Sequence, residues 1–280
     1  MKAIVVIPTQ GFGNRLRMIA SSFILAEYMK LEHYILWKVQ DDCNIEFDKI
    51  WEKHPFQLID EMALSNVRYA YYGNVHTHSI MSQVLNPGNI DYLVLSGGHE
   101  FKHPVMSKDE FVRKKYQLYS QLQFCCESKI PNIPEKYICI HYRDVTDFDK
   151  KDVEKSEKCN FSKNSPLKQF LYLMKKINNS IPIVVVTNSN IIGKSFVSYF
   201  PEKKIHFFNF SKSRSENESV EYSLYDFVLM TKAECIIGTY YSSFSDEASF
   251  FHIIPKIMPL NETITDLQYH CFHFTLKNKL

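Results

Sequence analysis

Two side chains suited to binding an anion stand close together near the middle of the chain. His141 and Arg143 are two residues apart at the end of the apolar run 137–142, YICIHY. Alternate residues of a β-strand point to the same face, so both side chains lie on one side of the predicted strand. The carboxyl ends of parallel strands form the ligand-binding edge of a sheet. The segment therefore indicates an anion site, with a surface ion pair for Arg143 and a buried, hydrogen-bonded His141 as open alternatives.

A second chemical signal is an isolated carboxylate. Asp226 is the only charged residue between Tyr222 and Thr231, in a segment that is apolar nearly all round in its middle. An ionised carboxylate in such surroundings is costly unless it is paired or hydrogen-bonded. Two interpretations fit: Asp226 bonds a neighbouring helix end, or it accepts from a ribose hydroxyl or a base N–H.

Two glycine turns bring polar groups to the start of a predicted helix. The first is PTQGFGNRLRMIA at 8–20, where Asn14 is predicted to cap the helix, and the second follows the apolar run 234–238, ECIIG. Backbone N–H groups at a helix N-terminus attract anions. An ordinary turn and a plain N-cap are the alternatives. The candidate residues of the two turns are Gly11, Gly13, Asn14, Arg15, Thr239, Ser242 and Ser243.

The first turn does not match the standard nucleotide-binding fingerprints. The dinucleotide fingerprint needs a third glycine where Leu16 stands, which disfavours a nucleotide-dependent oxidoreductase. A phosphate-binding loop needs Gly-Lys-Ser/Thr, but Asn14 and Arg15 follow Gly13. A tight turn with guanidinium groups beside it is what the segment predicts.

No bound metal or other cofactor is predicted. The acidic pair Asp41 and Asp42 follows an early strand and keeps a metal-dependent transferase of another fold open as an alternative. The paired histidines at 76–78 and 270–273 have no third ligand nearby in the sequence, so core or surface histidines are favoured. The 7 cysteines are odd in number and lack CxxC spacing, which argues against a zinc site and a disulfide framework.

The composition is that of a globular protein. The chain has 280 residues, is 45% hydrophobic and has a formal net charge of +2, so it can bury a large core and has no overall basic field for nucleic acid. No apolar run reaches the ~18 residues of a transmembrane helix. The first apolar run is too short for a secretory signal and the cysteines fit a reducing compartment, so we expect a cytoplasmic protein.

Short apolar runs alternate with longer periodic segments, which predicts an α/β fold with parallel sheets. Predicted strands lie at 2–7, 33–39, 66–72, 91–95, 137–142, 182–187, 204–209 and 234–238. Predicted helices lie at 15–31, 107–124, 166–178, 189–199, 220–232 and 243–252. The proline-containing segment 129–136, KIPNIPEK, is predicted to link two domains, 1–128 and 137–280.

Three motifs in this order and spacing, GFGNRLR, IHYR and LYDFVLMTKAECIIGTYYSSFS, resemble the fucosyltransferase superfamily of α-1,2-, α-1,6- and protein O-fucosyltransferases. The resemblance covers most of the chain and is strongest from 137 to 251. It implies two Rossmann-like domains facing a cleft, the GT-B arrangement, with the acceptor on the first domain and the nucleotide sugar mainly on the second. The implied activity is inverting, metal-independent transfer of a sugar, by default fucose from GDP-fucose, to a glycan acceptor.

The resemblance also implies roles for the candidate residues. Arg143 resembles the strand-end arginine that grips the donor pyrophosphate, with His141 as its partner in a His-x-Arg motif, and Asp226 resembles the helix acid that meets the nucleoside. The remaining implied donor contacts are the turn residues Gly11, Gly13, Asn14, Arg15, Thr239, Ser242 and Ser243.

Donor and base identity stay open at this point. Many relatives carry a second arginine where Asp144 stands, so a UDP-sugar such as UDP-xylose is an alternative donor, and a non-catalytic binding protein is an alternative function. A general base for the acceptor hydroxyl could be Asp144, Asp147, Asp149 or Glu100. The predicted catalytic residues are Arg143, Asp144 and Asp147.

Overall fold

The computed structural model describes residues 1–73, 89–101, 106–130, 133–144, 165–209 and 217–259. These residues form two compact units. The first unit holds the described residues from Met1 to Cys125 together with Asn217, and the second holds the others.

The first unit is built on a five-stranded sheet in the order β4-β2-β1-β6-β5, in which every neighbouring pair is parallel. A short antiparallel pair, β3 with β7, lies apart from that sheet. The strands are β1 (Ala3–Pro8), β2 (Glu32–Ile35), β3 (Trp51–Lys53), β4 (Gln57–Leu58), β5 (Tyr69–Tyr72), β6 (Tyr92–Gly97) and β7 (Gln123–Phe124). The helices are α1 (Phe12–Met29), α2 (Phe47–Ile50), α3 (Glu61–Ser65) and α4 (Lys108–Tyr119).

Local sequence explains where α4 begins but not where it ends. Ser107 caps α4 by accepting a hydrogen bond from the Glu110 backbone N–H at 3.1 Å, as its position in the sequence predicts. The prediction of helix as far as residue 124 is wrong, because the chain leaves the helix at Ser120 and Gln123–Phe124 pairs with β3.

The second unit has its own five-stranded parallel sheet, in the order β10-β9-β8-β11-β12. A short 3-10 helix, Glu127–Lys129, precedes it. The strands are β8 (Ile138–Tyr142), β9 (Ile183–Thr187), β10 (Ile205–Phe207), β11 (Cys235–Gly238) and β12 (Lys256–Ile257). The helices are α5 (Leu167–Lys176), α6 (Asn190–Tyr199), α7 (Asn217–Thr231) and α8 (Ser243–Phe250).

The α/β class with parallel sheets, predicted from the alternating pattern, is confirmed. Buried β-branched residues fill the central strands, as in the run Ile183–Val186 of β9, because both faces of such a sheet are covered. In the second unit Ile140 and Tyr142 pack on one face of β8 with Phe170 of α5 and Phe196 of α6. Cys139 and His141 therefore point to the opposite face.

Candidate functional site

The turn after β1 is held by one buried arginine. The Arg15 side chain is 0% exposed. Its Nε donates to the Gln10 carbonyl at 2.8 Å, and its two terminal nitrogens donate to the Lys38 carbonyl at 2.7 Å and to Gln40 Oε1 at 3.1 Å. The guanidinium also lies 4.5 Å from the centre of the Trp37 ring. Burial lowers the pKa of Arg15 from its ordinary value, against the opposing effect of Cys43 and Asp42.

The prediction that Asn14 caps the first helix is wrong. The helix begins at Phe12 with Gly11 as N-cap, and Asn14 lies inside the first turn, where its side-chain amide donates to Gln10 Oε1 at 2.7 Å. Gln10 has a left-handed backbone, φ 68°. Its carbonyl oxygen accepts from Arg15 and its side-chain oxygen accepts from Asn14. Gly11, Gly13, Asn14 and Arg15 share this turn, and their contact with a donor stays a prediction.

In the second unit the carboxyl ends of β8 and β11 are joined by Thr239. Its backbone N–H donates to the His141 carbonyl at 3.0 Å, and its hydroxyl donates to the same carbonyl at 3.1 Å. The hydroxyl also accepts from the Arg143 backbone N–H at 2.9 Å. The structure thus brings His141, Arg143 and Thr239 together at the predicted edge of the sheet.

His141 is buried in a neutral form at this edge. It is 5% exposed, and its ring centre lies 5.8 Å from that of Phe244 in α8. Burial lowers the pKa of His141 well below its usual value, and the charges of Lys256 and Arg143 lower it further. Among the described residues no hydrogen-bond partner reaches its Nδ1. The alternative of a fully hydrogen-bonded core histidine is therefore not met at Nδ1 by the described residues.

The turn that follows β11 ends in a helix N-terminus without a side-chain cap from the described chain. Ser242 is the N-cap of α8, and its hydroxyl is fully buried with no hydrogen-bond partner in the described ranges. Tyr241 just before it has a left-handed backbone, φ 58°, and an exposed side chain. Ser243 opens the helix and is half-buried. Uncapped N–H groups with an unpaired hydroxyl suit a bound anion.

Two residues of this site were missed by the sequence analysis. Lys256 of β12 is 0% exposed; its ammonium forms an ion pair with Asp246 of α8 and lies 3.4 Å from the Thr239 carbonyl oxygen. A lysine inside the otherwise apolar segment 253–259, IIPKIMP, was the available signal, because an isolated charge there needs a buried partner. The sequence could not name Asp246 as that partner.

Asp226 lies on the same side of the second sheet as His141. It is buried in α7, and its charge adds to the effect of burial in raising the pKa of the Cys139 thiol. Cys139 precedes His141 by two residues on β8, so both side chains share a face. The described contacts do not decide between a structural partner and a nucleoside for Asp226, and the nucleoside contact stays a prediction.

Of the four candidate general bases, Asp144 and Glu100 lie among the residues that the structure describes. The backbone N–H of Asp144 donates to Asn188 Oδ1 at 2.6 Å, and the Asn188 amide donates back to the Asp144 carbonyl at 3.0 Å. This reciprocal pair fixes the start of the loop after β8 and leaves the Asp144 side chain half-buried. In the first unit, Glu100 forms an ion pair with the buried Lys115 at 2.5 Å. The candidate bases Asp147 and Asp149 lie outside the described residues.

Metal and membrane features were searched over the same ranges. Within the described chain, no group of three or more histidine, cysteine or acidic side chains is placed to hold a metal ion. Asp41 and Asp42 are exposed in a turn closed by a Gln40–Cys43 bridge. The histidines at 76–78 and 270–273 lie outside the described ranges. None of the described helices combines the length and apolar character needed to cross a membrane.

Fucosyltransferases are among the solved structures with this fold. NodZ α-1,6-fucosyltransferase soaked with GDP-fucose, a protein also solved from Bradyrhizobium, has a TM-score of 0.60 and 13% identity over 92% of this chain and 94% of its own. A FUT1 mutant from Arabidopsis thaliana in complex with GDP has a TM-score of 0.56 and 13% identity, over 92% of this chain and 70% of its own. POFUT1 in complex with GDP-fucose has a TM-score of 0.55 and 12% identity, over 92% and 98%.

By sequence alone the chain has no such matches: no protein-family model and no curated protein matches it. The structural similarity shows that this chain shares the fold of these fucosyltransferases, the fold that the resemblance of the three motifs implied. Because one fold supports many activities, function has to rest on the site itself.

Proposed function

We propose that the chain is a glycosyltransferase that moves a sugar from a nucleotide-sugar donor to a glycan acceptor. The observation that supports this most is the edge of the second sheet, where the Arg143 backbone is bonded to Thr239 in the turn that leads to α8, and where the described residues leave the buried Ser242 hydroxyl at the α8 N-terminus unpaired. A guanidinium, helix N–H groups and a hydroxyl are the groups that bind a diphosphate. GDP-fucose is the default donor, since fold neighbours were solved with GDP-fucose or GDP.

The proposed reaction is an inverting displacement at the anomeric carbon. The acceptor hydroxyl forms a new C–O bond on one face while the bond to the diphosphate breaks on the other. The electron pair leaves with the nucleoside diphosphate, and the growing negative charge is stabilised by Arg143 and the α8 N-terminus. The hydroxyl proton passes to a carboxylate, for which we propose Asp144 or Asp147. The first unit is proposed to bind the acceptor.

Arg143→Ala tests the donor site directly. Loss of one partner of a buried charged contact costs about 2–5 kcal/mol, so the Kd for GDP measured by calorimetry should rise by at least about thirtyfold. Arg68→Ala is the matched control, because Arg68 is exposed in the first unit and pairs at the surface with Asp91. An Arg143→Ala protein that is folded and binds GDP like the wild type would rule out this site.

The donor itself is identified by a panel of GDP- and UDP-sugars in a thermal-shift assay, because a ligand raises the apparent stability of the state that it binds. Asp144, in place of a second arginine, makes UDP-sugars such as UDP-xylose the main alternatives. Binding of a donor without release of nucleoside diphosphate, across all acceptors tried, would instead indicate a non-catalytic nucleotide-sugar-binding protein.

We further propose that transfer needs no divalent metal, since cationic and N–H groups of the chain are available to neutralise the diphosphate. Rates in excess chelator should match rates with added magnesium or manganese within about twofold. Abolition by chelator and recovery with manganese would refute this and direct attention to Asp41 and Asp42.

A further inference from the structure

The ion pair between Lys256 and Asp246 lies directly under the turn that we propose to bind the diphosphate, so this inference rests on the proposed function. Asp246 belongs to the first turn of α8, where its backbone N–H donates to the Ser242 carbonyl at 3.0 Å. We propose that Lys256 is a positioning residue that neutralises Asp246 and thereby keeps the turn 238–245 able to accept an anion.

The path of the lysine side chain explains why it reaches this turn. Lys256 is paired with Ile236 in the parallel ladder between β12 and β11, so its side chain starts two residues before the end of β11. It then runs past Gly238, where an added Cβ would lie 2.8 Å from Lys256 Cε and 2.9 Å from Ser245 Oγ. Glycine at 238 leaves the space through which the ammonium reaches the Thr239 carbonyl and Asp246.

Electrostatics explains why a lysine is needed there. A carboxylate in the first turn of a helix is favourable for the helix, because it complements the positive end of the helix dipole. The same carboxylate would repel a diphosphate at that N-terminus. The Lys256 ammonium removes the net charge of Asp246, and its own charge extends to the neighbouring edge of the sheet, where it helps to lower the pKa of His141.

A buried lysine elsewhere in the second unit serves as a matched control. Lys203 is 8% exposed and donates to the Ile177 carbonyl at 2.6 Å and to Asn179 Oδ1 at 2.8 Å. It lies between α6 and β10, two residues before β10 begins, so it stands at the amino-terminal edge of the sheet, away from the proposed site. Loss of Lys203 removes a buried cation without changing the charge near α8.

The experiment is a double-mutant cycle on the full chain, with GDP as the probe in calorimetry and a thermal melt for each variant. Lys256→Met is expected to weaken GDP binding by about tenfold or more, because the ammonium that offsets the Asp246 charge beside the anion is then lost. Asp246→Asn is expected to strengthen binding and to steepen its dependence on salt, since the ammonium is unmasked. The double variant should return to within about threefold of wild type.

The outcomes separate this inference from the proposed function. If wild type binds neither GDP nor any donor of the panel, the proposed function fails. If wild type binds GDP but Lys256→Met behaves like Lys203→Met, with a lower Tm and unchanged Kd, the lysine is structural and the inference is wrong. Should Lys256→Met not fold, Asp246→Asn and the double variant decide: equal or weaker binding in Asp246→Asn overturns the inference.

Discussion

The turn after β1 in the first unit and the turn after β11 in the second unit are built alike but differ in how their polar groups are satisfied. Each turn leads from a parallel strand into a helix, and each contains a non-glycine residue with a left-handed backbone, Gln10 or Tyr241. In the first turn, the guanidinium of Arg15 is bonded through all three nitrogens to its own unit. In the second, the described chain leaves the buried Ser242 hydroxyl unpaired.

We interpret this difference as that between a structural turn and a proposed binding site. Buried polar groups are nearly always hydrogen-bonded, so a satisfied buried arginine needs no ligand to explain it. An unpaired buried hydroxyl at a helix N-terminus costs stability unless something else binds there. Together with the proposed function, the comparison leads us to expect that the first turn contributes mainly to stability and the second mainly to binding.

Arg15→Met should therefore be the most damaging change to stability. It takes from the carbonyls of Gln10 and Lys38 the donor that Arg15 supplies and removes a buried charge that is hydrogen-bonded through all three nitrogens, so we expect a loss of about 3–5 kcal/mol in the free energy of unfolding. Denaturant titration measures this loss. Arg15→Lys should recover little, because an ammonium cannot reproduce the planar fork of a guanidinium.

The same variant tests the predicted contact of Arg15 with a donor. Under conditions where Arg15→Met is still folded, its Kd for GDP should equal that of wild type. A variant with wild-type stability and lost GDP binding would reverse the comparison and make the first turn a binding element.

The glycines of the two turns provide the next test. A Cβ at Gly238 would collide with Lys256 and Ser245, whereas a Cβ at Gly11 would meet only the Asp42 carbonyl oxygen, at 3.9 Å. Gly238→Ala should cost about 1–3 kcal/mol of stability and also weaken GDP binding, because the overpacked turn must shift. Gly11→Ala should cost about 0.5 kcal/mol, since alanine is a poorer N-cap. Equal effects of the two substitutions would remove the distinction between the turns.

The sequence predicted the parts of this comparison that depend on local pattern. Apolar runs located the central strands, Ser107 marked the start of α4, and the positions of His141 and Arg143 at a strand end were right. The partners of Arg15 could not be predicted, because Lys38 and Gln40 are 23 and 25 residues away and act through a carbonyl and a side-chain amide that any loop offers. Such contacts are fixed by tertiary packing.

Each unit contains a buried histidine, His33 in the first unit and His141 in the second. The pH dependence of stability therefore allows the two units to be compared. Burial lowers the pKa of His33 to about 3, and the pKa of His141 is also lowered by burial. Both are neutral when folded and take up a proton more readily when unfolded, so stability is full above the unfolded pKa of ~6.5 and falls as pH falls toward the folded pKa. Each histidine contributes a slope of up to about 1.4 kcal/mol per pH unit.

Urea titrations at pH values between the unfolded pKa of ~6.5 and the folded pKa of His33, about 3, measure the slope of stability against pH. His33→Gln should reduce this slope at all GDP concentrations. GDP should reduce only the part due to His141, because an anion near that ring raises its pKa. A slope that is unchanged in His33→Gln would mean that His33 is protonated in the folded protein.

The smallest expected effect on stability, and the sharpest separation of stability from binding, belongs to Ser242→Ala. The hydroxyl has no hydrogen-bond partner among the described residues, so its removal should cause no loss in the free energy of unfolding of the unliganded protein, which should equal or exceed that of wild type. If the hydroxyl bonds the diphosphate, the same change should raise the Kd for GDP about fivefold, the equivalent of about 1 kcal/mol. Ser249→Ala is the control, because the Ser249 hydroxyl already donates to the Asp246 carbonyl at 2.6 Å within α8. A Ser242→Ala protein that is clearly less stable but binds GDP normally would show that the hydroxyl has a structural role. The second turn would then be structural, like the first.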